Sequence, residues 1–352
     1  MSQINNPLER PLLQKFPELQ SRIAIENLAS LPTPVEPFPI SKHAWIKRDD
    51  LTHAEYGGNK IRKLEFILAD AIEKKARRVV TFGAIGTNHG VATAMMCKQF
   101  GLECVVYLFD QPPTATVTQN LRLMQAYGAR LIYKGSLLKT ILAYYGSPYR
   151  FKSGSHFLFA GGSNLYGTLG FVNAACELQV QIEQGECPTP AAIVCPVGSG
   201  ATLAGLTYGC QLIGLKTNVI GVRVAPEKLG PVPACTTGTV YQLMMETYRF
   251  LTAQCTRDIP RPDRPTLIGD YYGDGYGVAT EKGALAIERF KALGITLEQT
   301  YTAKAAAAFC DQLDSNRGAV LLWNTFNSRN MSAKSSTVAE EDLPARLRCF
   351  LS

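Results

Sequence analysis

A chain of 352 residues is too long for one small domain, and at roughly 150 residues per domain it should hold about two. It is 46% hydrophobic and 18% charged, with 30 Gly and 20 Pro, which excludes disorder, collagen and coiled coil as global descriptions. The net charge is +7, and part of the surplus sits in Lys74, Lys75, Arg77 and Arg78, a run that reads as a solvated helix end; no basic face with base-reading partners stands out, so no nucleic acid is expected, and the surplus suits an anionic small ligand equally well.

The N-terminal stretch MSQINNPLERPLLQKFPEL lacks a charged segment followed by an apolar run, so no leader is expected. RRVVTFGAI then reads as a strand ending in a glycine turn, TNHGVATAMMCKQFG as a helix closed by Gly101, and ECVVYLFD as the next strand. TATVTQNLRLMQAYGA is a helix and RLIYK a strand. A second set follows: LGFVNAACELQVQIEQ is helical, AAIVCPVGSG is an apolar strand running into a Gly-rich turn, ATLAGLTYGCQLIG is a helix and NVIGVRVA another buried strand. The alternation predicts right-handed crossovers and parallel sheets covered on both faces. The expected fold is α/β, with two doubly wound open-sheet domains and a cleft between them. The polar tail from Ser328 carries one last short helix. No stretch approaches 18 apolar residues, so no membrane span is expected. Ten cysteines are scattered without a CxxC or a zinc spacing; several lie in apolar runs, which predicts buried thiols, a reducing, cytoplasmic setting and no metal.

Three glycine turns carry residues suited to chemistry. In Gly57-Gly58-Asn59-Lys60, Asn59 can cap the following helix, and Lys60 then sits in its first turn, where the dipole disfavours a cation. A bound anion or a Schiff base removes that conflict; a plain helix start with exposed lysines is the equal alternative. Gly198-Ser199-Gly200-Ala201-Thr202 lets backbone N–H groups approach a phosphate at a helix start, although it is neither a P-loop nor a dinucleotide fingerprint and by itself is more often a tight turn. Gly86-Thr87-Asn88-His89-Gly90 gathers hydroxyl, amide and imidazole at another helix start, a carboxylate pocket or an ordinary cap with an incidental histidine.

With these turns the chain resembles the fold-type II pyridoxal-phosphate (PLP) enzymes, which are tryptophan synthase beta-like, in the branch of D-cysteine desulfhydrases and 1-aminocyclopropane-1-carboxylate deaminases. The matching blocks are KRDDL at 47–51, GGNKIRKLEF at 57–66, GAIGTNHG at 83–90, AGGSNLYGTLGF at 160–171, GSGATLAGL at 198–206, DGYG at 274–277 and TYTAK at 300–304. The resemblance implies PLP as cofactor in the cleft, a smaller domain over 57–170, and a larger PLP-binding domain over 1–56 and 171–352. It implies Lys60 as the Schiff-base lysine, and Lys63 with Gly198, Ser199, Gly200, Ala201 and Thr202 as the phosphate site. Asn88 would face the PLP 3′-oxygen, and Thr87, Asn88 and His89 would hold the substrate carboxylate. Tyr276 and Tyr301 match the active-site tyrosines, and Thr302 and Thr325 the partners of the pyridine nitrogen. A small amino-acid substrate and a homodimer are implied as well.

There are departures. The family usually has I-Q-S-N where this chain has Ile85-Gly86-Thr87-Asn88, polar residues where it has Gly90, Val91 and Ala92, and H-T-G-G where it has Asn324-Thr325-Phe326-Asn327. Thr302 and His89 follow the desulfhydrase pattern, since the deaminases have Glu and Gln there. The expected activity is β-elimination from a D-cysteine-like amino acid. A deaminase, another small amino-acid lyase or racemase, or a PLP-holding protein without turnover are the alternatives.

Overall fold

The computed structural model describes residues 10–229, 232–315 and 318–351. The start of the N-terminal stretch read for a leader, residues 1–9, lies outside the described residues. The chain divides into two compact units, one of Met1–Ile67 with Ser163–Ser328, the other of Leu68–Gly162 with Arg329–Ser352.

The first unit is built on a six-stranded sheet, in the order Val35–Pro37, Ala44–Lys47, Val320–Trp323, Ala192–Val197, Asn218–Arg223, Thr266–Ile268. The first pair is antiparallel and every other pairing parallel. In a strand, successive side chains point to opposite faces, and here they feed two separate cores. Ile193, Cys195, Val197, Leu321 and Trp323 join one core, and Ala192, Val194, Val320 and Leu322 join the other. That is why AIVCPV reads as a continuous apolar run: both of its faces are covered, as in a doubly wound sheet. One face is covered by the helices Leu165–Glu183, Ala201–Leu212 and Thr237–Gln254, the other by Glu281–Lys291 and Thr302–Ser315. The first two of these helices touch closely at Gly205, where a Cβ would lie 2.3 Å from the Phe171 Cβ.

The second unit has a four-stranded parallel sheet, in the order Arg130–Gly135, Glu103–Phe109, Arg78–Ala84, Ser155–Phe157. Its helices are Asn88–Gln99, Ala115–Ala126 and Leu137–Tyr145. Residues 329–352 belong to this unit, where the sequence reading put them with the larger domain. The reason is visible in two contacts: the Phe350 carbonyl accepts from the Thr118 hydroxyl at 2.9 Å, and its ring packs on Tyr133. The tail forms a four-residue helix, Ser332–Ser335, and two 3-10 turns. The units also divide at Ile67, inside the helix Lys60–Glu73, and not at Gly57.

The ten cysteines are unpaired, and eight of them are buried. Among the described residues no helix is long and apolar enough to cross a membrane.

Candidate active site

The turn before Lys60 is fixed from several sides. Gly57 has no room for a side chain, since a Cβ would lie 2.0 Å from the Asp50 carbonyl oxygen. Gly58 adopts φ +100 and donates its N–H to the Asp49 carbonyl at 2.8 Å, a backbone state that glycine reaches at no steric cost. The Asn59 N–H donates to the Thr325 carbonyl at 3.1 Å, and the Gly57 N–H to Asn327 Oδ1 at 2.8 Å. Asn327, bulkier than the glycine the family has there, therefore holds the lysine turn. Phe326 beside it is half-buried.

Below the turn lies a buried ionic cluster. The Arg62 guanidinium donates to both Asp49 oxygens, at 2.8 and 2.7 Å, and to both Glu177 oxygens, at 2.8 and 2.9 Å. Lys47 Nζ reaches Glu177 at 2.6 Å, and Trp323 Nε1 donates to Asp49 at 2.7 Å. The two cations outweigh burial and hold the Glu177 carboxyl down at about 2. The KRDDL block is thus a clamp on the first turn of the Lys60–Glu73 helix.

Lys60 is half-buried, and its Nζ donates to Asn59 Oδ1 at 2.9 Å. Asn59 Nδ2 in turn donates to Thr202 Oγ1 at 3.0 Å. The Asn59 side chain therefore bridges the lysine to the Gly198–Thr202 turn, beyond the capping role read from sequence. Burial lowers the Lys60 amine to about 8, against a smaller upward pull from Glu298. Lys63 is 2% exposed and lies 5.8 Å from the Phe171 ring centroid; burial, then the Lys60 charge, pushes its amine well below the usual lysine range.

The strand Ala192–Val197 runs into Gly198-Ser199-Gly200 and then the helix Ala201–Leu212. Gly200 is the N-cap residue, at φ +99, and has no side chain with which to cap this helix. A Cβ on Gly198 would lie 3.2 Å from the Tyr301 ring. Ser163 Oγ donates to Ser199 Oγ at 2.6 Å and accepts from the Ala201 N–H at 3.4 Å. Thr202 Oγ1 accepts from Asn59, so its own proton can go to a ligand. A helix start whose N-cap residue has no side chain, the hydroxyls of Ser199 and Thr202 and the buried Lys63 amine form a donor set that fits a phosphate dianion. An aldehyde suits Lys60, whose amine is neutral in part near pH 8. The residues present thus fit PLP.

Tyr276 and Tyr301 share a hydrogen bond between their hydroxyls at 2.7 Å, their rings edge to face. Burial pushes the Tyr276 phenol up to about 12, and burial, then the neighbouring Tyr276, raises Tyr301 well above the usual phenol range. Tyr301 is set by Glu298, whose carboxylate accepts the N–H groups of Thr300, Tyr301 and Thr302 at 2.7–2.8 Å. The Thr302 hydroxyl accepts from the Glu298 N–H at 2.9 Å, so its oxygen is committed at its own helix start. Thr325 is buried, with its carbonyl on Asn59.

In the second unit, Thr87 is the N-cap of the helix Asn88–Gln99 and accepts from the Gly90 N–H at 3.1 Å. Thr87 and Asn88 are half-buried. Asn120 donates to Asn88 Oδ1 and to the Gly86 carbonyl, each at 2.8 Å, which fixes the amide of Asn88. His89 is 3% exposed, with Nε2 at 3.0 Å from Thr81 Oγ1 and Nδ1 at 3.5 Å from Thr93 Oγ1. The turn thus presents Thr87 and Asn88, while His89 ties it to the neighbouring strand. The small residues that depart from the family pattern answer local crowding: a Cβ on Gly86 would lie 2.7 Å from Val117 Cγ2, and one on Gly90 2.6 Å from Met124 Sδ.

Asn59, Ser163 and Glu298 are the site residues that sequence reasoning missed. Asn59 and Ser163 stood inside quoted blocks; Glu298 lies just outside TYTAK, and only its three accepted N–H groups reveal it.

Such a fold and site define a PLP-dependent enzyme of fold type II. Residues 27–325 match the family model of the pyridoxal-phosphate dependent enzymes, and the chain belongs to that family. It is 32% identical over 320 residues to a D-cysteine desulfhydrase of Klebsiella pneumoniae (strain 342), covering 87% of this chain and 91% of the relative. A solved structure described as an ACC deaminase homologue superposes with a TM-score of 0.77 at 28% identity, over 91% of this chain and 97% of the other. Serine racemase from Dictyostelium discoideum shares the fold, with a TM-score of 0.59 at 17% identity, over 91% of this chain and 98% of the other.

Proposed function

We propose that this chain is a D-cysteine desulfhydrase, converting D-cysteine and water to a 2-oxo acid, ammonia and hydrogen sulfide. The observation that carries the chemistry is the Lys60 amine, lowered to about 8 and joined through Asn59 to Thr202. The choice of substrate is supported by the curated relatives, named D-cysteine desulfhydrases at 30–32% identity, and by a neutral Thr302 after Tyr301.

When bound, PLP would supply an electron sink, and the protein supplies orientation and proton handling. Ser199, Thr202, Lys63 and the backbone of Gly198, Gly200 and Ala201 hold the phosphate. Lys60 takes the Cα proton as a neutral amine, which a lowered pKa makes available near neutral pH. Tyr276 and Tyr301 pass a proton across their shared bond on the substrate side. Thr302 and Thr325 are the neutral hydroxyls offered to the pyridine nitrogen. Thr87 and Asn88 would take the substrate carboxylate, and Asn88 would also serve the cofactor. His89 positions their turn through Thr81. We take the protein to be a cytoplasmic homodimer; its eight buried thiols suit a reducing compartment.

The test is an assay of the purified protein with D-cysteine, L-cysteine and 1-aminocyclopropane-1-carboxylate. Equimolar sulfide and 2-oxo acid from D-cysteine, with L-cysteine at least about tenfold slower in kcat/KM, is the expected result. Release of 2-oxo acid from the cyclopropane substrate, with no sulfide from D-cysteine, would overturn it.

A further inference from the structure

Tyr276 stands on a segment with no helix or strand of its own, between the strand Thr266–Ile268 and the helix Glu281–Lys291. The segment contains Gly269, Gly273, Gly275 and Gly277, and two of them have positive φ, +67 at Gly273 and +78 at Gly277. Such a chain has little local preference to place a phenol. At its start the Tyr271 hydroxyl donates to Asp311 at 2.7 Å and Arg223 lies over the Tyr272 ring at 5.2 Å; nearer Tyr276 the backbone is held by residues 299–304. Gln299 Nε2 donates to the Gly277 carbonyl at 2.7 Å. Lys304, in the first turn of the helix Thr302–Ser315, donates from Nζ to the Tyr272 carbonyl at 2.6 Å and to the Gly275 carbonyl at 3.2 Å.

Lys304 is 0% exposed, and burial lowers its amine. Its nitrogen lies 5.2 Å from the Tyr272 ring centroid. A core position asking only for bulk would take Met or Leu at less desolvation cost. An ammonium carries three donors, which lets one side chain serve two carbonyls three residues apart. Those carbonyls bracket the residues just before Tyr276.

We propose that Lys304 is a positioning residue for the elimination: it clamps the 272–275 backbone and so sets the Tyr276 hydroxyl against that of Tyr301. The inference rests on Tyr276 and Tyr301 being the substrate-side pair.

Lys304→Met, Lys304→Gln and Lys304→Arg test it, with two readouts. The first is amide hydrogen exchange in the protein without substrate, followed at Tyr272 and Val278, whose N–H groups bond to Gly269 and Gly275 within the segment. Lys304→Met should speed exchange there about tenfold and leave the helix Ala201–Leu212 unchanged, because local opening tracks local tethering. Lys304→Gln, which keeps a donor, should fall between Met and wild type and carries the test if the Met variant does not fold. The second readout is D-cysteine kinetics: Lys304→Met should lower kcat about tenfold or more, with KM and PLP affinity within about twofold, and Lys304→Arg should recover most of the loss. In a Tyr276→Phe background Lys304→Met should add nothing. A loss that adds fully to Tyr276→Phe, or unchanged exchange at Tyr272 and Val278, would overturn the clamp. A loosened segment in a protein that never turns over D-cysteine would keep the clamp and reject the substrate.

Discussion

The turns at 198–202 and 86–90 follow one plan and end in different states. Each joins a parallel strand through a glycine bend to a helix of 12 residues. At 198–202 the N-cap position is Gly200, which has no side chain with which to cap the helix, and the one side-chain acceptor there among the described residues is Ser163 Oγ, at a long 3.4 Å from the Ala201 N–H. At 86–90 the hydroxyl of Thr87 caps it. The first turn has no side chain at its own cap position, which suits an outside anion. The second answers its own backbone and presents only a hydroxyl proton and an amide. The difference teaches that a glycine turn before a helix is no ligand site by itself; the residue at the cap decides whom the helix end serves.

The comparison breaks first if the chemistry does not belong beside the 198–202 turn. Lys60→Ala should lower kcat by about 10³-fold or more, with urea unfolding unchanged within roughly 0.5 kcal/mol, because a half-buried helix-start lysine adds little stability. Turnover within tenfold of wild type would move the reactive amine elsewhere.

Rigidity sharpens the contrast, since among the described residues the Lys60 turn alone of the three glycine turns rests on a buried ionic cluster. Glu177→Gln strands Arg62 and Lys47 and should cost about 3–5 kcal/mol in urea unfolding near pH 7. The folded Glu177 pKa, about 2, lies below its ordinary 4.5. Its contribution is therefore complete above about 4.5 and is lost as pH falls toward 2. The gap between wild type and variant should close over that window; a gap independent of pH contradicts the ion-pair account.

The two turns should also separate by what each substitution harms. Thr202→Ala removes a hydroxyl from the phosphate site and should weaken PLP affinity about tenfold, near 1.4 kcal/mol. Thr87→Val should leave PLP affinity alone, lower stability by about 1 kcal/mol through the lost cap, and reduce kcat/KM, with Thr87→Ser restoring both. Loss of PLP from Thr87→Val, with the remaining loaded protein fully active, would reverse the assignment of the turns.

Much of this was legible in the sequence, for physical reasons. Continuous apolar strands such as AIVCPV announce a sheet covered on both faces, and a lysine in the first turn of a helix announces an electrostatic debt. What stayed hidden depends on contacts far apart in the chain. Glu177 lies 115 residues from Arg62, and no local pattern pairs them. Tyr301 hangs from Glu298, a carboxylate outside every motif, whose role shows only in the three backbone N–H groups it accepts. His89 looked like a carboxylate ligand beside Thr87 and Asn88, yet helical geometry turns its ring inward to Thr81. The tail packs on the second unit through Phe350, and Met331, Val338, Leu343 and Leu347, apolar residues scattered among polar ones without a helical or strand period, are buried.

Borohydride reduction of the PLP-loaded protein, followed by peptide mapping, tests the central claim most directly. Reduction fixes the cofactor irreversibly on whichever lysine carries it. The cofactor mass should appear on Lys60 alone, with Lys63, three residues further along the same helix, unmodified. Cofactor mass on Lys63, or on any lysine other than Lys60, would contradict the account.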